Sequence, residues 1–565
     1  MPIMAPHSDT ADENTSMHRT VAGLFAVLVL CAASLVVLAG NIGFQGDDWW
    51  ILAWPFWHRF PEALWLYAKE SQRPLEGAYW ISIFKVFGFR REAYHLLSLL
   101  LSAASCTAMG ACLARAFPGR RDFVVLSTCF AFFLPTVSPL TYLIHTDNSR
   151  LALLLFWGSV LSFQRWAAVS GTWPGLVAPI LLYCLAASTY ENGTFLICAV
   201  PFFVWPLHAR SSTGISDSSF LIRICAGVAG AFGLFLALRF LVFSGGAVVH
   251  KSLVPSFHLF SGYVIHLAGY LSAPFFHVSS DAGAWAWAIC SAVFIAALVF
   301  RGSGIHSSGR DATGGEPGSG YIAGLGALVL ALGILPYLLA GYTAEVGFTS
   351  QSRVYSSGTF GLAILLALSA TAWKSPKLRQ AALTVAVVAL FFMALFMADL
   401  KNDWRQAAAQ RKELCAQLLQ QAPDVEAGTT FLFLDLQSYV SNRAVIFQGT
   451  GGLDEFVKML YHKKTVNAYF LYPEKDLFRD VKGKTATASA QGIVPRGRLM
   501  TEPIPLDSIV MFRKQGTKLA IVDVISEKEH LCAIDWQGIS SIQSNLGRIV
   551  RTEGSHNDFQ EMCLK

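Results

Sequence analysis

An all-α polytopic membrane bundle of about eleven transmembrane helices, followed by a small C-terminal α/β domain, is the fold class this sequence predicts. Three observations predict it. Of 565 residues, 54% are hydrophobic and only 14% charged, whereas an ordinary soluble domain carries roughly a quarter charged residues. Apolar runs of the length needed to cross a bilayer, about 20 residues, recur as far as residue 399. After residue 400 the chain turns polar and mixed in charge, with short runs patterned as strands.

The apolar runs lie near residues 20–41, 93–114, 122–140, 150–168, 175–192, 193–208, 220–243, 283–300, 321–340, 357–373 and 379–399. Residues 1–19 are polar, and the run behind them is long enough to span, so it reads as an uncleaved first helix rather than a signal peptide. Residues 258–280 carry three His and Pro274, and read as an interfacial or re-entrant helix.

Lys and Arg in short loops set the orientation of such a bundle. With the N-terminus in the cytoplasm, the inside loops hold Arg115, Arg120, Arg121, Arg165, Arg210, Arg223, Arg301, Arg310, Lys374, Lys377 and Arg379. The outside loops after residue 92 hold only Arg150, Arg239, Lys251 and Arg353. The first outside loop, with Arg59, Lys69, Arg73, Lys85, Arg90 and Arg91, runs against the trend and needs a reason. The expected placement is a multi-pass protein of a bacterial inner membrane, with residues 1–19 a cytoplasmic tail, 20–399 the membrane domain and 400–565 an extracytoplasmic domain. Residues 301–320, "RGSGIHSSGRDATGGEPGSG", form a Gly/Ser linker on the cytoplasmic side.

In the C-terminal part, "WRQAAAQRKELCAQLLQQA" reads as an amphipathic helix, and "TTFLFLDL", "AVIFQG", "SIVMFRK" and "KLAIVDVI" as strands, with "GTGG" (449–452) as a turn. No nucleophile, phosphate-binding glycine loop or metal-ligand spacing stands out there. Of the eleven cysteines, Cys415, Cys532 and Cys563 lie in this part. One disulfide among them is compatible with an extracytoplasmic setting, and spacing does not choose the pair. The net charge of +6 is modest, and no Lys/Arg block calls for a nucleic-acid partner.

Under this topology the ionisable residues gather at the outer face: Asp47, Asp48, Arg73, Glu76, His95, His145, Asp147, Arg150, Glu191, Lys251, Glu345 and Arg353, with Tyr355 beside them. Charges at membrane depth are costly and mark functional sites by default. Plain structural roles compete: Asp47 and Asp48 as a helix stop, Arg73 snorkelling to headgroups, Glu191 in an ion pair. His58, His95, His145, His250, His258, His266 and His277 follow no metal-ligand spacing, so no metal site is expected.

These residues carry a resemblance. "GDDWW" (46–50) after the first membrane run resembles the acidic signature of glycosyltransferase superfamily C, polytopic enzymes that take sugars from polyprenyl phosphates. "QRPLEGAYWISIFKVFGFRREAYHLLSLLLSA" and "HTDNSRLALLLFW" are similar to stretches of the protein O-mannosyltransferase and aminoarabinose transferase type. "LAASTYENGTFL" is similar to its S-K-E-N turn, with Tyr190 where Lys is usual, and "SRVYSSG" to a later loop, without its Glu and Pro. The order matches over residues 20–370; the last 165 residues resemble no module.

The resemblance implies a polyprenyl-phosphate sugar donor, an acceptor that is a cell-envelope glycan or lipid, and transfer with inversion. It implies Asp47 as general base with Asp48 orienting it or the acceptor. Arg73, Lys251 and Arg353 would hold the leaving phosphate, where an Arg fork suits phosphate oxygens. Asp147, Arg150, Glu191, His95 and Tyr355 would contact substrate. No cofactor is implied, and a divalent metal is not indicated. Two readings compete: an oligosaccharide ligase or polymerase with a diphosphate-linked donor, and a lipid-linked sugar transporter. Transporters often show two related halves with broken helices, and no such symmetry is visible.

Overall fold

The computed structural model describes the chain except residues 1–8, 41, 46–47, 72, 137–141, 170–171, 211–214, 243–256, 304–316, 340–353, 437–439, 441–443, 448, 472–485, 496–502, 527–533, 551–556 and 565. By packing it divides into two compact units. The first takes Met1–Gly40, Phe60–Ile83 and Glu92–Lys401; the second takes Asn41–Arg59, Phe84–Arg91 and Asn402–Lys565.

The helices follow in the order α1 (Asp9–Ala39), α2 (Asp48–Trp57), α3 (Phe60–Ser71), α4 (Pro74–Phe87), α5 (Arg91–Ala116), α6 (Arg121–Phe133), α7 (Asp147–Val169), α8 (Val177–Thr189), α9 (Val200–His208), α10 (Asp217–Val242), α11 (Phe257–Phe276), α12 (Ala282–Ser303), α13 (Ser319–Leu339), α14 (Thr359–Thr371) and α15 (Pro376–Gln421). Among the described residues, seven helical stretches are long and apolar enough to cross a membrane: those built on α1, α5, α7, α10, α12, α13 and α15. The other four of the eleven expected runs are helical but short. α6, α8 and α14 have 13 residues each, or about 20 Å at 1.5 Å per residue, against a hydrocarbon core of about 30 Å. The run expected over 193–208 is divided: Tyr190 is extended, Glu191–Ala199 is a 3-10 segment, and α9 has only nine residues with Pro206 inside it. The segment read as interfacial is a single 20-residue helix, α11.

The first unit packs around one apolar core contributed by α1, α5–α10 and α12–α15. Its tightest approach is between α13 and α14. A Cβ on Gly333 would collide with the backbone of Gly358, and one on Gly361 with the backbone of Leu330. Small residues that let helix backbones meet are the usual packing device where no hydrophobic driving force separates helix from lipid. Here they seat the turn at residues 355–358, and Thr136 and Thr359 hydroxyls pair at 2.7 Å beside it.

The second unit is α/β. Its main sheet has the order β3-β2-β6-β7, where β2 is Thr430–Leu434, β3 Asn467–Leu471, β6 Ile509–Gln515 and β7 Lys518–Val522. β2 is parallel to β3 and to β6, and β7 is antiparallel to β6. All five residues of β2 are buried, as a strand in a parallel sheet requires. A second sheet, β5-β4-β9, joins Ala486–Ser489 (β4) to Gly492–Pro495 (β5) and Ile534–Gln537 (β9). The strands expected at "TTFLFLDL" and "SIVMFRK" are present as β2 and β6. "KLAIVDVI" divides into β7 and Val524–Ser526 (β8).

Two expectations are corrected. "AVIFQG" is not a strand, and the glycines of "GTGG" open helix α16 (Gly449–Tyr461) instead of making a turn. The segment becomes the crossover between the parallel neighbours β2 and β3, which a two-residue turn cannot join. The amphipathic segment after residue 400 is not a separate helix but the last part of α15, 46 residues long. Between Lys377 and Gln421 there is no Gly or Pro to stop it.

Asn41–Arg59 and Phe84–Arg91 belong with the C-terminal part in the second unit. The indole of Trp49 meets Phe456 at 5.1 Å, Phe44 at 5.5 Å and Phe559 at 5.7 Å between ring centres. Removing residues 425–565 strips Phe456 and Phe559 from a Trp that is otherwise buried. The truncated chain is therefore expected to elute as aggregate from size exclusion in detergent. A monodisperse peak would show that 41–59 does not depend on this packing.

Candidate functional site

The Arg73 cluster lies wholly within the first unit and draws on three separate stretches of chain. Arg73 stands in the connection between α3 and α4. Its Nη2 lies 2.8 Å from Glu191 Oε2, and its Nη1 3.3 Å from Glu76 Oε2. The guanidinium carbon lies 4.5 Å from the centre of the Tyr190 ring, a cation–π contact. Glu76, 3% exposed, also accepts hydrogen bonds from Asn148 Nδ2 and the Tyr67 hydroxyl. Gly77 makes room for that tyrosine: a Cβ there would lie 2.9 Å from Tyr67 Cδ1.

Continuing along α7, Arg150 Nη1 lies 2.6 Å from Asp147 Oδ1 and donates to Ser98 Oγ of α5. Asp147 is fully buried. Asn192 donates to Ser149 Oγ and, at 3.2 Å, to Ser356 Oγ. Ser149, Arg150 and Ser356 line a small cavity of about 40 Å³ together with Ser102, Ser105 and Thr359. The carbonyl oxygen of the Asn192 side chain has no hydrogen-bond partner among the described residues. The 3-10 geometry of Glu191–Ala199 is what brings Glu191 and Asn192 to Arg73 and Ser149.

Charge balance shapes this group. Burial lifts the Glu76 carboxyl above the ordinary carboxylate range, against the pull of Arg73. Burial acts to lower Arg73, but Glu191 and then Glu76 outweigh it and hold the guanidinium charged, well above its usual value. The arrangement offers a cation held between two carboxylates, beside a small cavity that Ser149, Arg150 and Ser356 help to line. It suits binding and orientation of a hydroxylated or anionic group.

Of the predicted site residues, Asp47, Lys251 and Arg353, with Glu345, lie outside the described residues. Arg73, Asp147, Arg150 and Glu191 belong to the polar group above. Arg73, expected on a phosphate, is engaged by two carboxylates. Asp48 belongs to the second unit. It is buried, and its Oδ2 accepts the backbone N–H of Gln45 at 2.8 Å while its own N–H donates to Gln45 O at 2.9 Å. The carboxylate thus satisfies the Gln45 N–H while a main-chain bond closes the same turn at the start of α2. His95 is buried within α5. Tyr355 sits in a cluster with Tyr263 and Tyr270, and its hydroxyl donates to the Tyr263 carbonyl at 2.9 Å. Its neighbour Ser356, not Tyr355, reaches Asn192.

Sequence reasoning singled out the charges and missed Tyr67, Ser98, Asn148, Ser149, Asn192 and Ser356. Asn148 and Asn192 stood inside quoted motifs; a neutral amide within an apolar run was the available signal. A second buried ion pair was also missed: Lys401 Nζ to Asp281 Oδ2, 2.9 Å, with Lys401 1% exposed. Among the described residues no three His, Cys, Asp or Glu side chains come together as metal ligands would. Cys532 lies outside the described residues, and Cys415 and Cys563 are free thiols.

Comparison of the chain with models of protein families and with curated proteins found no match.

Proposed function

We propose that this protein is an integral membrane glycosyltransferase that moves a sugar from a polyprenyl-phosphate donor to a cell-envelope glycan or lipid acceptor. One observation carries the reading. Five ionisable side chains, Arg73, Glu76, Asp147, Arg150 and Glu191, lie in polar contacts within a unit whose remaining bulk is apolar helix. Such groups are expensive there and are retained for function. They fall on three stretches that resemble the polyprenyl-phosphate-dependent family.

In this reading Asp47 takes the acceptor proton, Asp48 holds the loop that presents Asp47, and Arg73 with Lys251 and Arg353 offsets the charge of the leaving phosphate. Glu191 and Asn192 orient the donor sugar. The resemblance has Lys where this chain has Tyr190, and the aromatic face supplied instead supports Arg73, so the cation comes from a different stretch of chain. The reaction faces the extracytoplasmic side, and the bundle sits in a bacterial inner membrane.

The test is sugar transfer by purified protein in detergent, with a radiolabelled polyprenyl-phosphate sugar and extracted envelope lipids. The expected result is labelled acceptor without any transmembrane gradient. Donor binding without transfer, together with gradient-driven uptake in vesicles, would establish the transporter instead. Placement is checked separately: a C-terminal alkaline phosphatase fusion is expected to be active. A dead phosphatase with a fluorescent C-terminal GFP would reverse the orientation.

A further inference from the structure

Two cysteines far apart in the chain meet in the second unit. Cys415 lies in the last part of α15 and is fully buried. Cys563 lies in the terminal helix α17 (Asp558–Leu564) and is half-buried. Both stand in the wall of one cavity of about 230 Å³, together with Trp49 and Phe456. The two thiols are in side-chain hydrogen-bond contact.

Helix phase accounts for the meeting. On α17, Phe559 and Cys563 are four residues apart and share a face; on α15, Arg411 and Cys415 do the same. Trp49 stands between the first members of each pair. Its ring centre lies 5.7 Å from that of Phe559 and 5.2 Å from the Arg411 guanidinium carbon. The thiols are the next rung along both helices. Arg411 is itself fixed: it is 5% exposed, its Nη1 donates to Gln45 Oε1 at 2.6 Å, and Asp48 acts on its charge. A seven-residue helix has little stability of its own, so α17 depends on its anchors. Asn557 Oδ1 accepts the Gln560 N–H at 2.8 Å and Gln560 Oε1 accepts the Asn557 N–H at 3.1 Å, the reciprocal pattern of a capping box. Both side-chain amides also donate to the Leu460 carbonyl, at 3.1 and 2.9 Å. The start of α17 is thus docked on the last turn of α16, and the position of Cys563 follows.

We propose that Cys415 and Cys563 form a disulfide that staples the terminal helix to α15, made by exchange with a small-molecule or protein disulfide. Cys563, the more exposed thiol, loses its proton and attacks one sulfur of the donor; the donor S–S bond breaks and one donor thiolate leaves. Cys415, as thiolate, then attacks the Cys563 sulfur and displaces the second donor thiolate. The pair gives up two electrons and two protons, and the donor takes them up as two thiols. Burial holds the Cys563 thiol well above its ordinary range, while Arg411 and Arg91 act the other way. A thiol so held attacks slowly, which suits a bond made once and not a cycling redox centre. The closed loop runs over residues 416–562 and takes in every strand of the unit; a cross-link restrains the unfolded chain more as its loop lengthens. The inference stands on packing within the second unit and not on the glycosyl-transfer reading.

The test uses the full chain purified in detergent with reductant, then exposed to oxidised glutathione, with remaining thiols blocked by N-ethylmaleimide in denaturant. Trypsin places Cys415 in a peptide of residues 413–443 and Cys563 in one of 552–565. The expected product joins these two peptides and is lighter than their sum by two hydrogens. It is expected in the native chain and in C532S alike, and is absent from C563S. Oxidation is also expected to raise the melting point by about 5 °C or more in the native chain and not in C563S. A bond that forms without raising the melting point would overturn the staple. The same mapping on cells blocked before lysis reads the compartment. Free thiols there, with the bond formed after purification, would uphold the pair and overturn the extracytoplasmic placement alone. The proposal is overturned if the oxidised chain, eluting as native protein, still carries both thiols, or if either is joined to Cys532 instead.

Discussion

Arg150→Met is expected to destabilise the first unit by about 3–5 kcal/mol, the cost of breaking a buried ion pair by removing one member. Asp147 is fully buried, and Arg150 Nη1 is 2.6 Å from its Oδ1. Without that cation the carboxylate is left in a low-dielectric interior, and Ser98 loses its donor. Most of the loss arises from the charge left behind, not from the bond itself. The double variant Asp147→Asn/Arg150→Met removes both charges and is expected to recover the larger part. Equilibrium unfolding in mixed SDS micelles gives the comparison. If the single variant unfolds at the native detergent fraction, the pair contributes nothing, and Arg150 is held for binding alone. A double variant as unstable as the single one would instead assign the loss to packing of the arginine stem.

Asp47→Asn is expected to lower sugar-transfer turnover by at least about 100-fold, within the range general-base catalysis supplies. The substitution keeps the shape of the side chain and removes the basic oxygen. Asp48→Asn is the informative neighbour. Its carboxylate already accepts the Gln45 N–H, and an amide oxygen serves there equally well. Its effect on turnover is therefore expected to be far smaller than that of Asp47→Asn, with a modest loss of stability from a charge no longer set against Arg411. Equal losses at the two positions would give both carboxylates a part in the chemistry. Full turnover in Asp47→Asn would remove it as the base and bring Asp147 forward.

Hydropathy was enough to find the long helices, because a bilayer span is a one-dimensional property: about 20 apolar residues in a row suffice, whatever they later touch. The strands β2 and β6 were legible for a similar reason, as short β-branched and aromatic runs. α6, α8, α9 and α14 are shorter than the apolar runs that contain them, because hydropathy counts residues and not hydrogen bonds. The stops at Leu134 and Tyr190 depend on local backbone geometry. "AVIFQG" and "GTGG" carry genuine strand and turn propensities. Tertiary context overrode them, since two parallel strands must be joined by a crossover and α16 is what lies between β2 and β3.

The sequence by itself determined that this is a helical chain rich in membrane-length segments, that its last part is a separate α/β fold, and that charged residues recur at a few motifs. Composition and periodicity are enough for each, because every one of them is a property of a contiguous stretch. Only the tertiary structure decided which charges meet. Arg73 finds Glu191 across more than a hundred residues, Arg411 finds Gln45 across more than three hundred, and Asp48 leaves the membrane-type unit for the other one. Such pairings follow from how helices pack and where backbones cross, as at Gly333 and Gly358, and no local pattern in the chain encodes them.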